Sequence, residues 1–280
     1  MKRVLFLTLS LILLVSFGAC GNNKNQVTPS DTPKQTTTAS NTVTLTFPEG
    51  YTAKQIAEKL EENSVCAAED FMGIVQGDYY KSLEYAFIPQ IKNAENKAFV
   101  LEGYIFPDTY EFYKGESAEL ALSRFLKNTD AKLTEEFYFR ADELGYTMDE
   151  IITLASIIQE EASDPKEMSL VSSVLHNRLN SPAYRRLQCD VTRNYVNDCI
   201  TDSPYLSGDT SQYAELYSTY KCEGLPAGPI CNPGIDAIKA ALYPEESNYF
   251  FFVTDKDWNY YYAETYAEHK KNCNAVGLNG

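Results

Sequence analysis

Along residues 147–162, TMDEIITLASIIQEEA, apolar side chains recur with a helical period. An advance of about 100° per residue places Ile151, Leu154, Ala155, Ile158 and Ala162 on one face. Thr147, with Glu150 three residues on, forms a capping box that predicts a helix starting at Met148. Glu161 falls on the shoulder of the apolar face, one turn from Ile157 and Ile158. Glu160 points to the opposite side with Asp149, Thr153 and Ser156, which the pattern assigns to the surface. A carboxyl beside apolar side chains is disfavoured in its charged form, so its pKa rises and it keeps a proton near neutrality, as a general acid requires. The plain alternative is that Glu161 is a boundary residue of an amphipathic helix.

Upstream, residues 43–47 (VTLTF) alternate as a strand, 48–52 (PEGYT) read as a turn, and Thr52 caps a helix over 53–63 with Ile56 and Leu60 at helical spacing. Residues 70–76 give a second short helix. Strand, helix, helix is an order that a LysM-like module offers, so residues 43–98 are expected to form a small, non-catalytic, glycan-binding subdomain. Residues 101–112 (LEGYIFPDTYEF) alternate apolar and aromatic side chains about a turn at Pro107 and Asp108. Two helices are predicted within 117–144 and another over 168–179, where Leu170, Val171, Val174, Leu175 and Leu179 share a stripe. Residues 190–196 (DVTRNYV) read as strand-like. The last hundred residues hold most of the Gly and Pro of the folded part, a short helix IDAIKAAL and an apolar strand NYFFFV. Helices clustered ahead of strands and rigid turns predict the α+β class, with the small subdomain followed by a mixed α/β domain over 99–275.

The N-terminal pattern is of another kind. Lys2 and Arg3 precede a run from Val4 to Val15 that is apolar apart from Thr8 and Ser10, and small residues Gly18 and Ala19 lead to Cys20. Residues 1–20 resemble a bacterial lipoprotein signal, in which Cys20 is lipidated and becomes the first mature residue. The competing reading is an uncleaved transmembrane anchor, for which the run is short of the ~20 apolar residues a span needs. Either way the rest of the chain faces outward, at the outer face of the cytoplasmic membrane. Residues 21–42 hold one Val and one Ala among polar residues and form no core, which predicts a disordered tether.

Composition narrows the chemistry. Lys and Arg number 24 against 39 Asp and Glu, a formal net charge of −15, so no basic stripe exists to neutralise phosphates and nucleic acid is excluded as a partner. Arg178, Arg185, Arg186 and Arg193 cluster locally, either as a binding edge for a carboxylated ligand or as counter-charge to nearby acids. If Cys20 carries lipid, Cys66, Cys189, Cys199, Cys222, Cys231 and Cys273 remain, and an oxidising compartment makes disulfides the expectation. Cys222–Cys231, enclosing the turn-rich GLPAGPI, is the first choice, and Cys189–Cys199 is the competing close pair. No close Cys-x-x-Cys or His-x-x-x-His pair suggests a metal site. The two histidines, His176 and His269, have no Gly-x-Ser-x-Gly nucleophile motif beside them.

Six motifs then occur in one order: LEGYIFPDTY (101–110), TLASIIQEEA (153–162), NRL followed by LQCDVT (177–192), YSTY (217–220), GLPAGPICNPG (224–234) and AEH (267–269). Together they resemble the MltG/YceG-like endolytic murein transglycosylases, and the resemblance runs from about Val43 to His269. It implies a LysM-like subdomain followed by a transglycosylase catalytic domain, peptidoglycan glycan strands as substrate, and no metal or cofactor. It also implies that Glu161, the second acidic position of the Ala155–Glu161 segment, is the catalytic glutamate. Asp190, Thr192, Tyr217, Thr219, Tyr220 and Asn232 become candidates for lining the substrate groove, each with a structural alternative: the tyrosines as core, Asn232-Pro233-Gly234 as a turn. Two positions depart from the family pattern. Val191 replaces a Pro, and Tyr260 stands about where a His is expected. Those departures motivate two rival classes, a catalytically impaired glycan-binding lipoprotein and a scaffold that recruits cell-wall synthesis proteins through its acidic surface.

Overall fold

The computed structural model describes residues 41–278. The expected signal at 1–20, the lipidation at Cys20 and nearly all of the expected tether lie outside the described residues. Strand β1 (Thr42–Thr46) is followed by helices α1 (Ala53–Glu62) and α2 (Ala68–Gln76), then by short turns of 3₁₀ helix up to residue 96. Strand β2 (Thr109–Tyr113) pairs antiparallel with β1, Thr42 opposite Tyr113 and Thr46 opposite Thr109. The first unit is thus a β-α-α-β arrangement, and its closing strand lies beyond residue 98, where the sequence pattern ended it.

Helices α3 (Ala118–Lys132), α4 (Glu135–Leu144), α5 (Met148–Glu161) and α6 (Pro165–Leu179) follow in succession. Helix α7 (Asp190–Tyr195) runs into a π-helical turn over Val196–Ile200, and α8 (Ser211–Tyr217) and α9 (Ile235–Leu242) complete the helical part. Strands β3 (Phe251–Thr254) and β4 (Tyr260–Ala263) form an antiparallel hairpin ahead of α10 (Tyr266–Ala275). The expected α+β class holds, with two small two-stranded sheets at the edges of a helical core. Two local readings change. Residues 190–195 are helix, because Thr192 and Tyr195 face inward one turn apart and bury together. Helix α6 starts three residues earlier than its apolar stripe, where Asp164 accepts from Lys166 N at 3.0 Å and Pro165 occupies the first turn.

Helix α5 sits at the centre. The predicted capping box is present at Thr147 and Glu150, and every residue from Met148 to Ile158 is buried except Glu150. Asp149, Thr153 and Ser156, expected on the surface, are buried because the helix is covered on that side too. Asp149 pairs with Lys97 at 2.6 Å and accepts from the Tyr104 hydroxyl at 2.8 Å. Ser156 Oγ accepts from Ile230 N at 3.0 Å. The 101–104 turn that carries Tyr104 comes close to the 228–232 loop. Gly103 has φ +88°, and a Cβ there would lie 2.5 Å from Pro229 Cγ, so glycine is required by both backbone and space.

Candidate active site

Glu161 is the last residue of α5 and opens into a cleft of ≈ 460 Å³. The cleft is walled by α6 through Val174, Leu175 and Arg178, by the 187–190 loop, by β3 with the preceding Phe250, and by α10 through Tyr266, His269 and Cys273. Burial pushes the Glu161 carboxyl up to about 7; the charges of Asp190 and Glu160 push the same way, and a hydrogen bond from the Cys189 thiol opposes them. A carboxyl tuned there carries its proton on about half the molecules at neutral pH, which suits it to give a proton and take it back.

The backbone below Glu161 is fixed by a residue that sequence reasoning counted only as a departure. The Tyr260 hydroxyl donates to the Glu161 carbonyl oxygen at 2.6 Å, satisfying one of the carbonyls that a helix end leaves without a partner. Tyr260 stacks with Tyr262 at 6.1 Å between ring centroids, and Tyr262 donates to Glu167 at the start of α6 at 2.7 Å. The β3–β4 hairpin is thereby fastened to both helices that meet at the cleft.

Of the six predicted groove residues, two reach the cleft. Asp190 begins α7, and its carboxylate accepts from the Tyr220 hydroxyl and from Arg193, both at 2.9 Å. Tyr220 and Asp190 line the cleft with Glu161. Thr192, Tyr217, Thr219 and Asn232 are buried and line none of it. Their roles are read from their partners. Thr219 Oγ1 accepts from Cys189 N at 2.9 Å and lies 3.0 Å from Thr192 Oγ1, so the two threonines shape the turn that presents Cys189 and Asp190 to Glu161. The Tyr217 hydroxyl accepts from Ala98 N at 3.2 Å. Asn232 accepts from Ile105 N at 2.8 Å and donates to Tyr51 O at 2.9 Å and to Glu102 at 2.8 Å, a latch between three segments.

The basic cluster divides. Arg185 pairs with Glu223 at 3.3 Å and Arg193 with Asp190, as counter-charge. Arg178 does neither. Its guanidinium is buried, donates to the carbonyls of Arg186 and Phe250, and holds the cleft wall together. His269, quoted from the sequence only as part of AEH, stacks on Phe251 at 5.1 Å and lies 3.5 Å from the Cys273 sulfur. Among the described residues no group of three or more His, Cys, Asp or Glu is placed to hold a metal ion.

The expected disulfides are not formed; all six described cysteines are free thiols. Cys231 is buried with its thiol on Ser156 O at 3.4 Å, whereas Cys222 lies elsewhere, on an opening lined by Leu216, Leu225 and Pro226. Cys189 turns toward Glu161. Alkylation of the native protein is expected to label the half-buried Cys66, Cys222 and Cys273, and to reach the buried Cys189, Cys199 and Cys231 only after denaturation. Peptide mapping without reductant checks this, and a Cys222–Cys231 cross-linked peptide would overturn it.

The sequence matches the profile of the YceG-like family over residues 23–275. The chain belongs to that family. An endolytic murein transglycosylase of Streptococcus pneumoniae is 28% identical over 243 residues, covering 82% of this chain and 44% of that protein. An endolytic murein transglycosylase of Bacillus subtilis is 28% identical over 234 residues, covering 79% of this chain and 57% of that protein. The chain therefore spans about half the length of the curated relatives it matches. A crystal structure of a yceG-like protein from Listeria monocytogenes aligns with TM-score 0.68 at 30% identity, over 82% of this chain and 75% of that one.

Proposed function

We propose that the chain is an endolytic murein transglycosylase that cuts the bond between N-acetylmuramic acid and N-acetylglucosamine in peptidoglycan and leaves 1,6-anhydro ends. The observation that supports this reading best is Glu161, a carboxyl raised to about 7 at the end of a buried helix and facing a cleft walled by Phe250, Phe251, Phe252 and Tyr220. Aromatic walls suit the apolar faces of sugar rings, and polar groups at the rim fix orientation. Family membership and the names of the curated relatives point the same way.

Ordinary glycosidases need two carboxyls, an acid and a nucleophile or base. Here the sugar supplies the nucleophile. Protonated Glu161 gives its proton to the glycosidic oxygen as the bond to the muramic C1 breaks. The 2-acetamido carbonyl of the muramic residue stabilises the positive charge left at C1. The Glu161 carboxylate then takes the proton of the 6-hydroxyl as O6 bonds to C1, which returns Glu161 protonated and consumes no water. The charge of Asp190 raises the proton affinity of Glu161, and Tyr260 holds the backbone from which it projects. Asp190 and Tyr220 contact the bound sugar, while the four buried groove candidates act by shaping the loops.

In this reading the β1-α1-α2-β2 unit is the LysM-like subdomain, closed by β2 rather than ending at residue 98. Lipidation of Cys20 tethers the chain to the outer face of the cytoplasmic membrane, next to its substrate. No helix among the described residues is long and apolar enough to cross a membrane. Incubation with purified peptidoglycan and mass spectrometry of the soluble products tests the activity. Anhydro-ended fragments are expected. Reducing ends alone would make the protein a hydrolase, and no fragments at all would favour a glycan-binding lipoprotein.

A further inference from the structure

A second cleft, of ≈ 450 Å³, opens on the other side of the α5 end. Thr52, Lys54 and Glu58 of the first unit form one wall, and Val191 and Asn194 of α7 form the other, with Glu160 between them. The two clefts share no lining residue, yet they adjoin at two places. Glu161 and Asp190 face the first, and their chain neighbours Glu160 and Val191 face the second. Neighbouring Cα atoms are only about 3.8 Å apart, so the end of α5 and the start of α7 each border both clefts.

We propose that the second cleft continues the substrate groove, so that a glycan strand passes Glu161 with sugars on one side of the scissile bond in the aromatic cleft and sugars on the other side in the polar one. This rests on the transglycosylase reading above. The linings divide the work: the first cleft carries aromatic side chains, while the second carries hydroxyl, ammonium, amide and carboxylate groups from Thr52, Lys54, Asn194 and Glu160 that match sugar hydroxyls and acetamido groups. Glu160 is exposed, as the helical pattern predicts, and its carboxylate lines this cleft. Gly50, with φ +83°, passes so close that a Cβ there would lie 2.8 Å from Glu160 Oε1. An enzyme that cuts within a strand has sugars on both sides of the reacting bond, and contacts to the remote ones supply binding energy for distortion and orientation at the bond itself. The first unit is then part of the active site through α1, rather than a separate glycan anchor.

Calorimetry on full-length Glu161→Gln protein with peptide-free peptidoglycan glycan oligomers of two and six sugars tests this. The longer oligomer is expected to bind at least about tenfold more tightly than the shorter. Adding Asn194→Trp, which plugs the second cleft from α7, is expected to bring that ratio close to one. If a thermal melt shows that this variant does not fold, Glu58→Trp plugs the cleft from α1 instead. A length advantage that survives the plugs places the extra sugars elsewhere and overturns the proposal, as does the absence of any length effect before plugging. The activity reading fails separately, when wild-type protein releases no anhydro ends whatever the oligomers do. Failure of the Glu161→Gln protein to bind either oligomer would count against both.

Discussion

Glu161→Gln is expected to lower the release of anhydro-ended fragments by on the order of 10²–10⁴-fold, the range that a positioned acid-base group contributes. Gln keeps the shape and the hydrogen-bonding oxygen but has no proton to give the leaving oxygen and no charge to take one from the 6-hydroxyl. In the wild type, activity is expected to fall as pH rises through about 7, because the first step needs the protonated carboxyl. Stability should fall over the same rise in pH. The folded-state pKa of Glu161 lies above its unfolded value of 4.5, so its contribution is full below 4.5 and is lost as pH rises toward 7. At pH 8 the wild type carries that desolvation penalty in full and the Gln variant carries none. After allowance for its partial exposure, the variant should be more stable by about 1–2 kcal/mol, the usual opposition of function and stability at such sites. Fragment analysis and urea denaturation of the same preparations check both halves. A variant that keeps cleaving would remove Glu161 from the chemistry.

Why Glu161 was legible and its surroundings were not follows from the range of the signals. The capping boxes at Thr52 with Gln55 and Thr147 with Glu150 are made within four residues, and both stand in the structure as the sequence spells them. The same is true of the shoulder position of Glu161, which depends only on helical period. The pairing of β1 with β2 joins Thr42 to Tyr113, and nothing local to either strand announces it. Residues 190–196 were misread because Val191, Thr192 and Tyr195 favour strands in isolation; contact with Thr219 and Tyr217 decides for helix instead.

Motif matching had a different limit. It marks a residue as needed without saying whether the need is for chemistry or for shape. Thr192, Thr219, Tyr217 and Asn232 lie in the motifs, but they are consumed by hydrogen bonds inside the protein. Tyr260, which breaks the motif, sits on the backbone of Glu161. The cysteines misled because compartment and spacing favour pairing, whereas the fold turns Cys189 and Cys231 toward Glu161 and Glu160 respectively.

Glu102→Ala is expected to be the most destabilising single change in the described part of the chain. Glu102 is fully buried, and no cation is among its hydrogen-bonding partners. Its carboxylate accepts from Ala53 N at 2.9 Å, from Asn232 Nδ2 at 2.8 Å and from the Tyr195 hydroxyl at 3.1 Å. These donors come from the start of α1, the 228–232 loop and α7, so one side chain fastens both walls of the second cleft to the centre of the fold. Truncation to Ala leaves several buried donors without an acceptor, at about 1–3 kcal/mol each before relaxation. A total near 4 kcal/mol lowers the melting temperature of a domain this size by roughly 8–16 °C. The pH dependence of Glu102 adds to the one that Glu161 contributes over the same range. Burial outweighs the hydrogen-bond donors and lifts the Glu102 pKa from 4.5 to about 7, so its contribution is complete below 4.5 and declines as pH rises toward 7, by about 3 kcal/mol in all. Glu102→Gln keeps an acceptor for Asn232 or Ala53 while turning its own amide toward a donor, so it should cost less than Ala and should flatten that slope. Urea denaturation at pH 5 and pH 8 separates the cases: a Gln variant that retains the full wild-type loss between those two values would show that the slope belongs to another group.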